Sequence, residues 1–198
     1  MLALLGLVAC SKTSDNLYAG IANPPLVEAR LHTVTLATDN SKVFEELQAS
    51  GYVYVKFSSN YPASHSVEAS LWSVPEQVAW AAVHFKAPGA AGVDVRVLKM
   101  ALAASSRVGD SATETAFFRN VLGTDVPAWP AAVKQTDKVR VQVWTYLVPD
   151  ILLANKRLRE SGIPVVFDPE EITTAYLGVH KTMAIRSPHG TIVELVQK

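Results

Sequence analysis

Apolar and polar positions begin to alternate in residues 26–38 (LVEARLHTVTLAT), where β-branched residues recur with period two, so the stretch reads as a strand. Asp39-Asn40-Ser41 then offers helix-starting side chains. Val43, Phe44 and Leu47 follow at helical spacing, and Ser50-Gly51 supplies a stop. Residues 52–57 alternate again as a strand, and 58–66 form a polar loop around Pro62. The same grammar returns later. Residues 139–148 (VRVQVWTYLV) read as a strand, and Pro149-Asp150 starts a helix with proline at a tolerated early position. Leu152, Leu153, Lys156 and Leu158 continue that helix, Ser161-Gly162 ends it, and 163–167 form a strand.

The two passages superimpose. Asp39 to Gly51 spans 12 residues, as does Asp150 to Gly162. Leu47-Gln48-Ala49-Ser50-Gly51 matches Leu158-Arg159-Glu160-Ser161-Gly162 at an offset of 111. A repeated strand–helix–Gly–strand unit points to two halves related by duplication. Two short strands, 181–186 and 191–197, close the chain around the turn Ser187-Pro188-His189-Gly190. In the first half their counterparts are 66–74 and 78–85, flanking Pro75-Glu76-Gln77. Between the halves, 93–104 (VDVRVLKMALAA) reads as a strand and 111–122 (SATETAFFRNVL) as a capped helix ending at Gly123. A loop with two prolines around Trp129 follows. The pattern leaves open whether 93–138 joins the first half's sheet or covers it from outside. The expected divisions are therefore 26–92, 93–138 and 139–198.

Composition narrows the class. The chain has 198 residues, 18 basic and 18 acidic, and about half are apolar, which is globular usage. Zero net charge and no visible basic stripe argue against nucleic acid. No apolar run reaches the ~18–20 residues that span a bilayer. A single cysteine excludes an internal disulfide, a multi-cysteine zinc site and a CxxC redox motif. That cysteine follows an uncharged, mostly apolar start. Leu7-Val8-Ala9-Cys10 resembles the lipobox of bacterial lipoprotein signal peptides, though no Lys or Arg precedes it and the apolar run is short. The resemblance implies cleavage before Cys10 (signal and lipobox over 1–10), a lipid on its thiol, and a tether over 11–25 (SKTSDNLYAGIANPP). The folded part would then sit in the cell envelope, anchored to a membrane and facing the periplasm or exterior.

The duplicated order strand–helix–strand–strand–strand resembles the module of the vicinal oxygen chelate superfamily, which includes glyoxalase I, bleomycin-resistance proteins and extradiol dioxygenases. The passage Leu158-Arg-Glu-Ser-Gly-Ile-Pro-Val-Val166 is similar to that family's L-x-x-x-G-V-x-V. The end Arg186-Ser-Pro-His-Gly-Thr-Ile-Val-Glu-Leu-Val-Gln197 is similar to its D-P-D-G-N-x-I-E-L-V-Q. Thr115-Ala-Phe-Phe-Arg-Asn-Val-Leu-Gly123 resembles its A-x-F-Y-x-x-V-L-G, but in the insert. The resemblance implies an α+β fold of paired βαβββ modules, with curved mixed sheets and helices on the outer faces. It also implies a divalent metal (Fe, Mn, Ni or Zn) held by first- and last-strand side chains. Glu194 falls on the last-strand carboxylate position, which would make it both ligand and catalytic group, and His32 falls on a first-strand position. The 111 offset puts Val143 opposite His32; a slip of one residue would bring in Gln142, and likewise His84 in place of Ala81 or Val83.

Each candidate has a plainer reading. Glu194 lies in an apolar strand, where a charge needs a partner unless it faces outward. His32 and His84 fit structural roles equally well. Trp72, Trp80, Trp129 and Trp144, with Tyr146 and Phe85, line either an aromatic pocket or the core; if Val143 points inward, Trp144 and Tyr146 pack under the helices. His65, His180 and His189 sit in polar or turn contexts, residues 156–160 form a solvated helix face, and Glu170-Glu171 reads as a loop pair. No GxSxG, Gly-rich phosphate loop or HExxH is present. The leading expectation is a lipid-anchored, metal-dependent lyase or dioxygenase acting on a small molecule with neighbouring oxygens. The alternatives are a metal-free small-molecule binding protein of bleomycin-resistance type and a structural envelope lipoprotein. The resemblance also implies a homodimer.

Overall fold

The computed structural model describes residues 15–21, 24–60, 70–72, 74, 79–90, 92–100, 111–174 and 176–198. Cys10, with the lipobox, and His65 lie outside the described residues. The described elements are α1 (Asp15–Ala19), β1 (Arg30–Thr38), α2 (Lys42–Ala49), β2 (Val53–Asn60), β3 (Trp80–Lys86) and β4 (Asp94–Lys99). They continue with α3 (Ser111–Leu122), β5 (Val139–Leu147), α4 (Ile151–Glu160), β6 (Val165–Thr174), β7 (Gly178–Arg186) and β8 (Ile192–Gln197).

The strands form one curled sheet in the order β2-β3-β4-β1-β5-β8-β7-β6. Read from the centre outward, each half repeats the other. β1 pairs parallel with β4 as β5 pairs parallel with β8, and the halves meet where β1 runs antiparallel to β5. Each half is thus a β-α-β-β-β unit, with α3 between them.

Alternation along each strand separates two apolar clusters. Val34, Leu36, Val95, Val97, Trp144, Tyr146, Met183, Ile185, Val193 and Leu195 face outward, where Leu47, Phe117, Phe118, Ile151 and Leu158 of the helices cover them. The smaller inner cluster joins Ala37, Ala82, Leu98, Val143, Ala184 and Ile192 to Leu71, Trp72, Val74 and Trp80. Trp144 and Tyr146 therefore pack under the helices, with Val143 inside. The two matched helix ends are alike in backbone. Gly51 and Gly162 have φ of 82° and 75°, left-handed values that glycine adopts without cost, and each reverses the chain from helix to strand.

Four local expectations need correction. The stretch 94–99 is a strand of the first half's sheet beside β1, so the last strand of that half is β4 rather than 78–85. Within 66–74, residues 70–72 form a helical turn instead of a strand, because Leu71 and Trp72 bury side by side on the inner face, which alternating side chains could not do. Glu170 and Glu171 lie within β6, paired with Thr182 and Lys181 of β7. Part of the 11–25 stretch is no loose tether. α1 docks on α3, with the Tyr18 ring 5.3 Å from Phe117 in an edge-on contact and its carbonyl accepting from Asn120 Nδ2 at 2.9 Å.

Asp150 caps α4 by accepting from the backbone N–H groups of Leu152 and Leu153 at 3.0 and 2.9 Å. Asp150→Ala is expected to lower stability by about 1 kcal/mol and Asp150→Asn by a few tenths, read from urea unfolding midpoints.

Candidate functional site

Two charges of opposite sign lie on the inner face. Arg96 is the third residue of β4, inside Asp-Val-Arg-Val-Leu-Lys, and Glu194 is the third of β8, inside Ile-Val-Glu-Leu-Val-Gln. Their strands place them equivalently: Arg96 stands beside Thr35 of β1, and Glu194 beside Thr145 of β5. The curl of the sheet brings the two together, with Arg96 Nη1 3.7 Å from Glu194 Oε2 and both side chains only 1% exposed.

Neighbouring groups supply what water would otherwise provide. Thr145 Oγ1 donates to Glu194 Oε2 at 2.7 Å, and Thr182 Oγ1 contacts Oε1 at 3.4 Å. Arg96 Nη1 donates to Thr35 Oγ1 at 3.3 Å, and Nε makes a long contact to His84 Nδ1 at 3.5 Å. The guanidinium carbon lies 4.3 Å from the Trp72 ring centroid, a cation–π contact that strengthens when desolvated. Burial and the Arg96 charge push the His84 imidazole down to about 3, so it is neutral. The imidazole ring is stacked on Tyr176, with centroids 4.4 Å apart. The Tyr176 hydroxyl donates to Asp94, and burial followed by that hydrogen bond pushes it well above the ordinary phenol range.

The four expected metal-site residues do not converge. The strands are offset by 110 and the helices by 111, because one more residue separates Thr145 from Leu158 than Thr35 from Leu47. His32 and Gln142 are equivalent under the strand offset, and each sits at a register shift of the central ladder. Those shifts lie at opposite ends of its 33–35/143–145 stretch, so the two side chains are held apart. His32 Nδ1 contacts Thr33 Oγ1 at 2.7 Å, and burial, then Lys198, lowers its pKa. Gln142 Nε2 donates to the Trp72 carbonyl at 2.9 Å. His84 and Glu194 do share the inner face, but the Arg96 guanidinium contacts both.

A divalent ion fits this arrangement poorly. It needs several lone-pair donors around one point, and a guanidinium offers five N–H donors and no lone pair. Among the described residues no three His, Cys, Asp or Glu side chains gather as metal ligands. Sequence reasoning missed Thr35, Arg96, Thr145 and Tyr176. Arg96 carried a usable signal, since it is a charge within an apolar strand just as Glu194 is.

Other candidates have structural roles. His180 is buried, with Nδ1 2.9 Å from the Gly178 carbonyl. His189 donates its backbone N–H to Glu114 at 2.9 Å, joining the closing turn to α3. Trp129 and Trp144 border a cavity of about 450 Å³ on the helix side, away from the inner face. At one end of the inner face, Tyr176, His32 and Asp94 border a second cavity of about 580 Å³.

This topology, with the last strand of each repeated unit beside its first and the two units meeting at β1 and β5, is the α+β fold of the glyoxalase/bleomycin-resistance/dioxygenase superfamily. Among solved structures, the chain is similar to a triple mutant of 4-hydroxymandelate synthase from Streptomyces coelicolor, with TM-score 0.51 and 12% identity over 86% of this chain and 49% of that one. It thus spans about half the length of that enzyme. It is also similar to methylmalonyl-CoA epimerase from Mycobacterium tuberculosis, with TM-score 0.49 and 14% identity over 90% and 93% of the two chains. At this identity the likeness is one of fold. No protein-family model matches the sequence, and no curated protein matches it.

Two predictions follow from the buried charges. Arg96→Met and Glu194→Met each strand a partner and should cost about 3–5 kcal/mol, while the two together should cost less than the sum, measured as a double-mutant cycle. His84 titrates near 3 in the folded protein against an ordinary 6.5. Below about pH 6.5 the unfolded chain binds a proton that the folded chain refuses. Stability is therefore lost as pH falls from 6.5 toward 3, by up to about 1.4 kcal/mol per pH unit. His84→Gln should reduce that acid slope in denaturation curves recorded across pH 4–6.5.

Proposed function

We propose that this chain is a metal-independent small-molecule binding protein built on the glyoxalase-like fold. The observation that carries the reading is the buried Arg96–Glu194 pair. It satisfies the Glu194 carboxylate internally and puts a fixed positive charge beside it, where a divalent ion would otherwise be attracted. The aromatic and threonine lining gives the inner face apolar area with a few polar groups, the usual make-up of a ligand pocket. The cavity beside Tyr176 is large enough for a small organic molecule. The fold alone assigns no reaction.

Elemental analysis tests this reading. Full-length protein incubated with Fe²⁺, Mn²⁺, Ni²⁺ and Zn²⁺ and then desalted should carry far less than stoichiometric metal. One ion per chain, lost in Glu194→Gln and His32→Ala, would overturn it in favour of a metal-dependent enzyme with Lewis-acid chemistry. We also propose, from Leu7-Val8-Ala9-Cys10, that Cys10 carries a lipid which holds the protein in the cell envelope. Palmitate labelling in a bacterial host should mark the wild type and spare Cys10→Ser; equal labelling of both would remove this reading.

A further inference from the structure

Three cations gather around the cavity at the end of the inner face. Arg30 is the first residue of β1, Lys86 is the last of β3, and Lys198 follows β8. The topology explains the convergence. β3 runs antiparallel to β4, and β4 parallel to β1, so the end of β3 lies near the start of β1. Arg30 pairs with Leu147 at the end of β5, which pairs in turn with Val196 near the end of β8. All three cations border the cavity of about 580 Å³, together with His32, Asp94 and Tyr176.

Three cationic side chains border the cavity and one acidic side chain does. None of Arg30, Lys86 and Lys198 makes an ion pair among the described residues. Asp94, the one acidic side chain bordering the cavity, has both oxygens engaged. Oδ1 accepts from the Ala87 N–H at 2.9 Å, and Oδ2 accepts from the Tyr176 hydroxyl. Leu31, Val55 and Leu177 add apolar wall. The rim stays narrow in bulk at Gly92, where a Cβ would lie 2.4 Å from that of Ala87.

We propose that this cavity binds a small organic oxyanion, with its carboxylate or phosphate among Arg30, Lys86 and Lys198 and its apolar part against Leu31, Val55 and Leu177. This inference rests on the metal-independent binding reading and names its ligand class.

Phenylacetate and phenyl phosphate serve as probes, with neutral phenylacetamide as control, titrated into full-length protein at low salt and followed by NMR. At least one of the two anions should shift the Gly89, Gly92 and Leu177 amides saturably, while phenylacetamide should not. Lys86→Gln with Lys198→Gln, both at exposed positions and checked for folding by circular dichroism, should weaken binding roughly tenfold. No saturable shift with either anion, equal binding of the amide, or unchanged affinity in the double variant would each overturn the inference. Metal content measured on the same sample separates the two claims. Metal-free protein that ignores the anions overturns this inference alone, whereas stoichiometric metal overturns the reading beneath it.

Discussion

The ion pair between Arg96 and Glu194 constrains the rest of the molecule. β4 and β8 are not neighbours; β1 and β5 lie between them. In a flat sheet the two strands would stand about 14 Å apart, three strand spacings. The side chains nonetheless meet at 3.7 Å on the inner face of the curled sheet, where either charge alone would be costly to bury. Their surroundings follow from the same cost. Threonines at 35, 145 and 182 supply hydroxyls where alternation would otherwise place aliphatic residues, and Trp72 covers the guanidinium. The pair also ties the two halves together, because each contributes one of the charges.

Symmetry in the backbone is thus broken in the chemistry. Thr35 with Arg96 repeats Thr145 with Glu194 in place, and only the sign of the charge differs. Two carboxylates at these positions would repel each other and attract a cation. A carboxylate and a guanidinium neutralise each other and leave the centre closed. Along the inner face, the Tyr176 ring stacks on the neutral His84 and borders the cavity, and its hydroxyl bridges to Asp94 on the opposite half. The second half thereby closes over a cavity whose cations come mainly from the first.

Much of this was legible in the residue pattern. Alternating stretches marked β1 and β2, and the helical spacing with Ser-Gly stops marked α2 and α4, since these signals arise within each element. The repeat was visible in Leu-x-x-Ser-Gly because a helix that reverses into a strand needs the left-handed glycine in both halves. Glu194 stood out as a charge among apolar neighbours, and it is indeed buried. The site as a whole was not legible. The helix offset of 111, carried into the strands, paired His32 with Val143, and the last strand of the first half was sought at 78–85 when it lies at 94–99.

By itself, then, the sequence determined the alternation of elements, their duplication, and the need of one buried carboxylate for a partner, all properties of residues close together in the chain. Tertiary structure alone decided which partner. Arg96 and Glu194 are 98 positions apart. Whether a last-strand carboxylate meets a metal or a guanidinium depends on strand register and sheet curl, where a single extra residue between strand and helix changes which side chains face one another.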